Sequence, residues 1–260
     1  MKQLKPKKYL GQHFLKDSNI SKKIAESLIS KKLNSIIEIG PGMGILTQHL
    51  INSSTETFFV EIDKDSIVYL NKVFPEIRNL VINEDFLKID LAQFKAPIGL
   101  IGNFPYNISS QILFKLIENR KKINELVGMF QLEVAKRICA PPGSKTYGIL
   151  SVLVQAFYSA EFLFSLSPDQ FNPPPKVNSG VIRLTKKSNI DIGCDEKLFF
   201  KIVKTSFQQR RKTLRNSLKS FNLTNNIKED AIFEKRPEAL SVDDFILLTN
   251  IIADGTIPAY

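Results

Sequence analysis

Between residues 35 and 130 of this 260-residue chain, short β-branched runs take turns with helical stretches, and that alternation constrains the fold more than any other feature. Residues 35–39, 57–60, 80–82, 98–101 and 126–130 read as strands, and 45–51, 65–73, 109–119 and 133–138 as helices between or after them. A helix between two strands leaves no room for a tight hairpin, so successive strands return parallel. The expected architecture is α/β, a doubly wound and mostly parallel sheet. Ahead of it, Ile20, Ile24 and Leu28 repeat every fourth position behind the capping candidates Asp17 and Ser18, which predicts a leading helix. After it, residues 161–166 and 181–184 read as a closing pair of strands bridged by Phe171-Asn172-Pro173-Pro174-Pro175. From about Lys187 the period is helical throughout, with Leu198, Ile202, Val203 and Phe207 on one apolar face. The expected division is a sheet domain over 1–186 and a small all-helical domain over 187–260.

The formal net charge of +10 is unevenly placed. Residues 1–32 hold nine Lys against two acids, and 186–222 hold ten Lys or Arg against three, so each segment carries +7 and the remainder −4. Two basic zones flanking a mildly acidic body suit a nucleic acid ahead of a membrane, because neither zone is a strongly amphipathic helix armed with Trp or Phe. A Lys-rich face that is merely solvated is the alternative. No apolar run approaches the ~20 residues of a membrane span, and residues 1–8 lack the apolar stretch of a secretory signal. A cytoplasmic protein is expected. Cys139 and Cys194 stand alone without Cys-x-x-Cys spacing, so they read as inert thiols and no metal site is expected.

Open α/β sheets bind ligands at the carboxyl ends of their strands, and four strand ends here deliver suitable groups. The first runs into Glu38-Ile39-Gly40-Pro41-Gly42-Met43-Gly44, a glycine loop that lets a ligand approach the backbone. Ile45 breaks the dinucleotide fingerprint, which needs glycine there, and the spacing of 40, 42 and 44 suits a nucleoside-type ligand instead. Glu61 ends the second strand, where a carboxylate can accept both hydroxyls of a ribose, and Asp85 follows the third, where it can accept an amino group from an adenine ring. The fourth leads into Asn103-Phe104-Pro105-Tyr106: an amide acceptor for an exocyclic amine, a proline that fixes a neighbouring carbonyl, and a ring on which a base can stack. Each acid alone reads equally as a turn residue, and the tetrapeptide as a capped turn before the helix at Ser109.

Together with Gly11-Gln12-His13-Phe14-Leu15, Phe171-Asn172-Pro173-Pro174-Pro175-Lys176-Val177 and the stretch from Phe207 to Leu218, these motifs resemble the bacterial small-subunit ribosomal RNA adenine dimethyltransferases over nearly the whole chain. The resemblance implies a Rossmann-like S-adenosylmethionine methyltransferase sheet. It also implies conversion of two adjacent adenosines near the 3′ end of the small-subunit RNA to N6,N6-dimethyladenosine. It places His13, Leu15 and Gly40 around the methionine end of S-adenosyl-L-methionine, Glu61 on the ribose, Asp85 on the adenine amine, and Asn103 where donor and acceptor meet. The Phe104 backbone carbonyl would share the target N6 with Asn103, while Tyr106 and Phe171 would stack on the extruded base. For Phe171 a core anchor is the alternative. Arg210, Arg211, Lys212 and Arg215, at a helix start, would grip phosphates. His13 stands where the family frequently has Asn, and Phe104 where it frequently has Leu. The partner implied is small-subunit ribosomal RNA within a pre-assembled particle, met by a monomer. A large-subunit RNA methyltransferase of the antibiotic-resistance type shares the Gly11 and Asn103 motifs, and a non-enzymatic RNA-binding assembly factor is a further alternative.

Overall fold

A computed structural model describes residues 5–30, 32–221, 223–224 and 229–255. Its centre is a seven-stranded sheet in the order β4-β3-β2-β5-β6-β9-β7. These strands are β2 (Ser35–Ile39), β3 (Glu56–Glu61), β4 (Val81–Asn83), β5 (Ile98–Asn103), β6 (Ile123–Gln131), β7 (Tyr158–Leu166) and β9 (Ser179–Lys186). β2 pairs in parallel with both β3 and β5, and β4 and β6 extend the parallel set on either side. β9 runs antiparallel to β6. Strand order therefore reverses at β2, and a crevice opens there outside the carboxyl ends of β2 and β5. Every residue of β2 is buried, as are Phe59, Leu100, Ile101, Leu126 and Val127, because helices cover both faces of a parallel sheet.

Two of the helices packed on the sheet begin where short acids can satisfy free amides. In α1 (Ser18–Glu26) Asp17 accepts from the backbone of Asn19 at 2.7 Å, and in α2 (Lys64–Val73) Asp63 accepts from Asp65 at 3.0 Å. α3 (Ser109–Glu118) buries Ile112, Leu113, Leu116 and Ile117. The helix expected over 45–51 is replaced by turns and a single 3-10 turn, Thr47–His49. Its Thr47 hydroxyl donates to the buried Glu38 carboxyl at 2.8 Å, and the backbone mixes i→i+3 bonds at His49 and Leu50 with i→i+4 bonds at Gln48 and Ile51. A two-stranded antiparallel sheet joins β1 (Phe14–Leu15) to β8 (Phe171–Asn172), with Leu15 opposite Phe171.

Two compact units emerge. The first comprises Met1–Ala135 and Ser159–Lys186, and the second Lys136–Tyr158 and Lys187–Tyr260. The second unit thus takes in the last three residues of α4 (Leu132–Ile138) and all of α5 (Ile149–Gln155), a stretch that the sequence division leaves with the sheet. Among the described residues its remaining α-helices are α6 (Glu196–Gln208), α7 (Leu214–Ser217) and α8 (Val242–Asp254). Phe199, Ile202 and Val203 of α6 are buried, Leu198 and Phe207 only half so, and α8 contributes Phe245, Leu248 and Ile251. Among the described residues no helix is long and apolar enough to cross a membrane, and no group of three or more His, Cys, Asp or Glu could hold a metal ion.

Candidate active site

The cleft at the carboxyl edge of the sheet is lined from the 10–14 segment, the glycine loop, the ends of β3 and β5, and residues 84–87. Gly40 has φ of 68°, and a Cβ placed on it would meet nothing within 4 Å; it would project into open space at the cleft. Gly42 is the opposite case. Its φ is 56°, and a Cβ there would lie 2.8 Å from the Phe14 ring, which closes over the loop.

Glu61 ends β3 almost fully buried, with one carboxylate oxygen accepting from the Gly42 amide at 3.0 Å and the other from the Asp63 amide at 2.9 Å. Burial pushes its carboxyl above the usual carboxylate range, with those backbone donors pulling it back. Each oxygen keeps a lone pair for a further donor, such as a pair of sugar hydroxyls. Asp85 lines the same cleft and spends one oxygen on the Leu87 amide at 2.9 Å, leaving the other without a partner among the described residues. Ile62, half exposed at 50%, offers an apolar platform between those acids. A glycine gap, a hydroxyl acceptor, an amine acceptor and an apolar face fit a nucleoside that carries an amino acid, such as S-adenosylmethionine. Ile62 went unmarked in the sequence because an isoleucine after a strand has no signature until its exposure is known.

At the end of β5 the Asn103 side-chain amide donates to the His13 carbonyl at 2.7 Å. Nothing among the described residues donates to its Oδ1, so that oxygen remains an acceptor in the cleft. The Phe104 side chain turns the other way. It is 1% exposed, meets Phe130 edge-on at 5.3 Å, and fills the space that Cβ atoms on Gly102 and Gly128 would need. Only its backbone can serve chemistry. Tyr106 lines both this cleft and an adjoining one bounded by Gln131 and Pro173 to Val177. Its hydroxyl pairs with the buried Ser179 hydroxyl at 2.5 Å, and its ring stacks with His13 at 5.7 Å and 28°. The His13 Nδ1 in turn meets the Pro173 carbonyl at 2.8 Å.

Two expected contacts have their side chains in the core. Leu15 and Phe171, at 5% and 2% exposure, face each other in the β1–β8 pair and join the hydrophobic core, so neither side chain lines the cofactor cleft or the adjoining one. The core-anchor reading of Phe171 is the one realised, because two apolar side chains in register gain more from burying each other than from a wet groove. The basic cluster also differs in place. Arg210, Arg211 and Lys212 lie in the turn after α6, and α7 with Arg215 is one turn long. Arg210 donates to the Ser144 carbonyl and lies 3.8 Å from Glu238; Arg215 pairs with Glu234 at 2.5 Å. Arg211 and Lys212 are exposed with no side-chain partner among the described residues.

Comparison with known proteins bears on the chemistry. A sequence model described as ribosomal RNA adenine dimethylase matches residues 3–254. A protein of Flavobacterium johnsoniae named ribosomal RNA small subunit methyltransferase A is 55% identical over 98% of this chain and 99% of its own length. Its namesake in Bacteroides thetaiotaomicron is 52% identical over 98% and 97%. Among solved structures, a dimethyladenosine transferase from Plasmodium falciparum superposes with a TM-score of 0.79 at 27% identity, covering 92% of this chain and 97% of that one. The 23S rRNA methyltransferase ErmE shares the fold, with a TM-score of 0.74 at 23% identity.

Proposed function

This chain belongs to the ribosomal RNA adenine dimethylase family, and from that membership we infer that it is an S-adenosylmethionine-dependent methyltransferase that dimethylates N6 of two adjacent adenosines near the 3′ end of small-subunit ribosomal RNA. When bound, the cofactor supplies an electrophilic methyl on a sulfonium. Glu61 would hold its ribose and Asp85 its adenine amine, with Gly40, His13 and the backbone at Leu15 around its amino-acid end. The reading extends to a monomer acting in the cytoplasm on RNA within a partly assembled small-subunit particle.

The observation that best supports the assignment is the fixed Asn103 amide. The N6 of adenine is a poor nucleophile, since its lone pair is delocalised into the ring. Asn103 Oδ1 and the Phe104 carbonyl, accepting N–H bonds from N6, would draw that nitrogen toward tetrahedral geometry and aim the lone pair along the transfer axis. Such catalysis is positioning and electrostatics and needs no strong base. A base stacked on the Tyr106 face that His13 leaves would gain about 1–3 kcal/mol. Replacing Asn103 with Ala is expected to keep cofactor affinity within about tenfold while abolishing nearly all transfer, because the amide acts mainly in the transition state. Mapping dimethyladenosine in cells that lack and then regain the protein tests the substrate. The modification should disappear from small-subunit RNA and return, and an effect confined to large-subunit RNA would overturn the assignment.

A further inference from the structure

An amide has two ends, and only one of them is useful at position 103. Rotated by half a turn, Asn103 would present an NH2 donor to the N6–H donors of adenine, which is unproductive. The His13 carbonyl, 2.7 Å from Asn103 Nδ2, selects the useful orientation. What holds that carbonyl is therefore part of the chemistry. The preceding residue, Gln12, is half-buried and uses both ends of its side chain. Its Oε1 accepts the Lys7 amide at 2.8 Å, and its Nε2 donates to an Asp63 oxygen at 2.9 Å. Asp63 is a firm anchor: it is 2% exposed, caps α2 through the Asp65 amide, and takes the Ser66 hydroxyl at 3.1 Å. The Lys7 ammonium closes the loop by pairing with both Asp63 and Asp65. One residue on from Gln12, the His13 ring is held by the Pro173 carbonyl and the Tyr106 face.

We propose that Gln12 is a positioning residue for the methyl transfer: by tying the 7–13 segment to Asp63, it fixes the His13 carbonyl that orients the Asn103 amide. The proposal rests on the reading of Asn103 as the acceptor for N6. A displacement of about 1 Å in such a group costs up to about 100-fold in rate, so Gln12→Ala is expected to slow single-turnover transfer by about 10–100-fold at saturating cofactor. Cofactor affinity should stay within about threefold.

The decisive comparison repeats Gln12→Ala in an Asn103→Ala background, where the residual rate should fall no further, because residues acting through one group are non-additive. Equal losses in both backgrounds, or an affinity loss that accounts for the slower rate, would overturn the proposal. So would wild-type turnover by Gln12→Ala beside an inactive Asn103→Ala, which would leave the Asn103 reading intact. Wild-type turnover by Asn103→Ala itself would remove that reading and the proposal together. Should Gln12→Ala fail to fold, Gln12→Glu keeps the acceptor for Lys7 but sets a carboxylate against Asp63, and carries the same expectations. Adding Asp63→Asn to it restores a donor–acceptor pair with the roles exchanged, and should recover the rate.

Discussion

Glu38 is 2% exposed, and the chemistry assigned above makes no use of its carboxyl. Burial pushes that carboxyl up to about 8, with the Thr47 hydroxyl pulling it partway back and Glu61 pushing it further up. The folded chain thus keeps the proton to about pH 8, whereas the unfolded chain releases it near the ordinary value of 4.5. Between those limits the folded state binds more protons than the unfolded state, so stability falls as pH rises, and the cost is complete above the upper limit. Glu38→Gln removes this titration. Its Tm should gain steadily on wild type from pH 5 to about 8 and level off above, by about 2–4 °C for each kcal/mol of difference; thermal melts with a constant gap from pH 5 to 8 would show that Glu38 does not titrate across that range. Residues of this kind mark how far the sequence reaches. Glu61, Asp85 and Asn103 were legible because a polar group directly after an apolar strand is already at the ligand edge of the sheet. Gln12 and Ile62 were not, since a glutamine tie across 51 positions and an exposed isoleucine become visible only in three dimensions.

At the scale of elements, apolar runs announced the strands, because both sheet faces are buried and no polar residue need interrupt them. The segment over 45–51 misled for a local reason: its apolar pattern suits a helix, but Thr47 is tied to Glu38. Phe171 misled for a long-range one, its partner Leu15 lying far back in the chain. Phe171→Ala is accordingly expected to cost about 3–5 kcal/mol of unfolding free energy in denaturant titrations, the usual loss for truncating a buried aromatic. Unchanged stability with weakened RNA binding would restore the stacking role. The stretch 136–158 joins the helical unit although the chain then returns to the sheet through β7, an excursion that periodicity alone does not reveal.

Over the whole molecule, the positive charge at 186–222 is only partly available to a polyanion. Arg215 is engaged by Glu234, while Arg211 and Lys212 are exposed and unpaired among the described residues. Replacing Arg211 with Ala should lower the slope of log RNA affinity against log salt by about 0.7–0.9, the share of one neutralised phosphate. Arg215→Ala should lower it less, since its gain from phosphate is offset by the loss of Glu234. Cofactor affinity should stay level in both, the cleft being lined from the first unit alone among the described residues. Titrations over a salt series check this, and an unchanged slope for Arg211→Ala would mark the cluster as an ordinary solvated face. The pairing of Phe14 and Leu15 with Asn172 and Phe171 also imposes an order in time. During synthesis the chain emerges from its amino end, so the segment that steadies Asn103 gains its ties in sequence: Asp63 can hold Gln12 early, but the His13 ring waits some 160 residues for the Pro173 carbonyl. A nascent chain that stops short of β8 holds every strand-end group and the Asp63 tie, but only one half of the clasp on its amide.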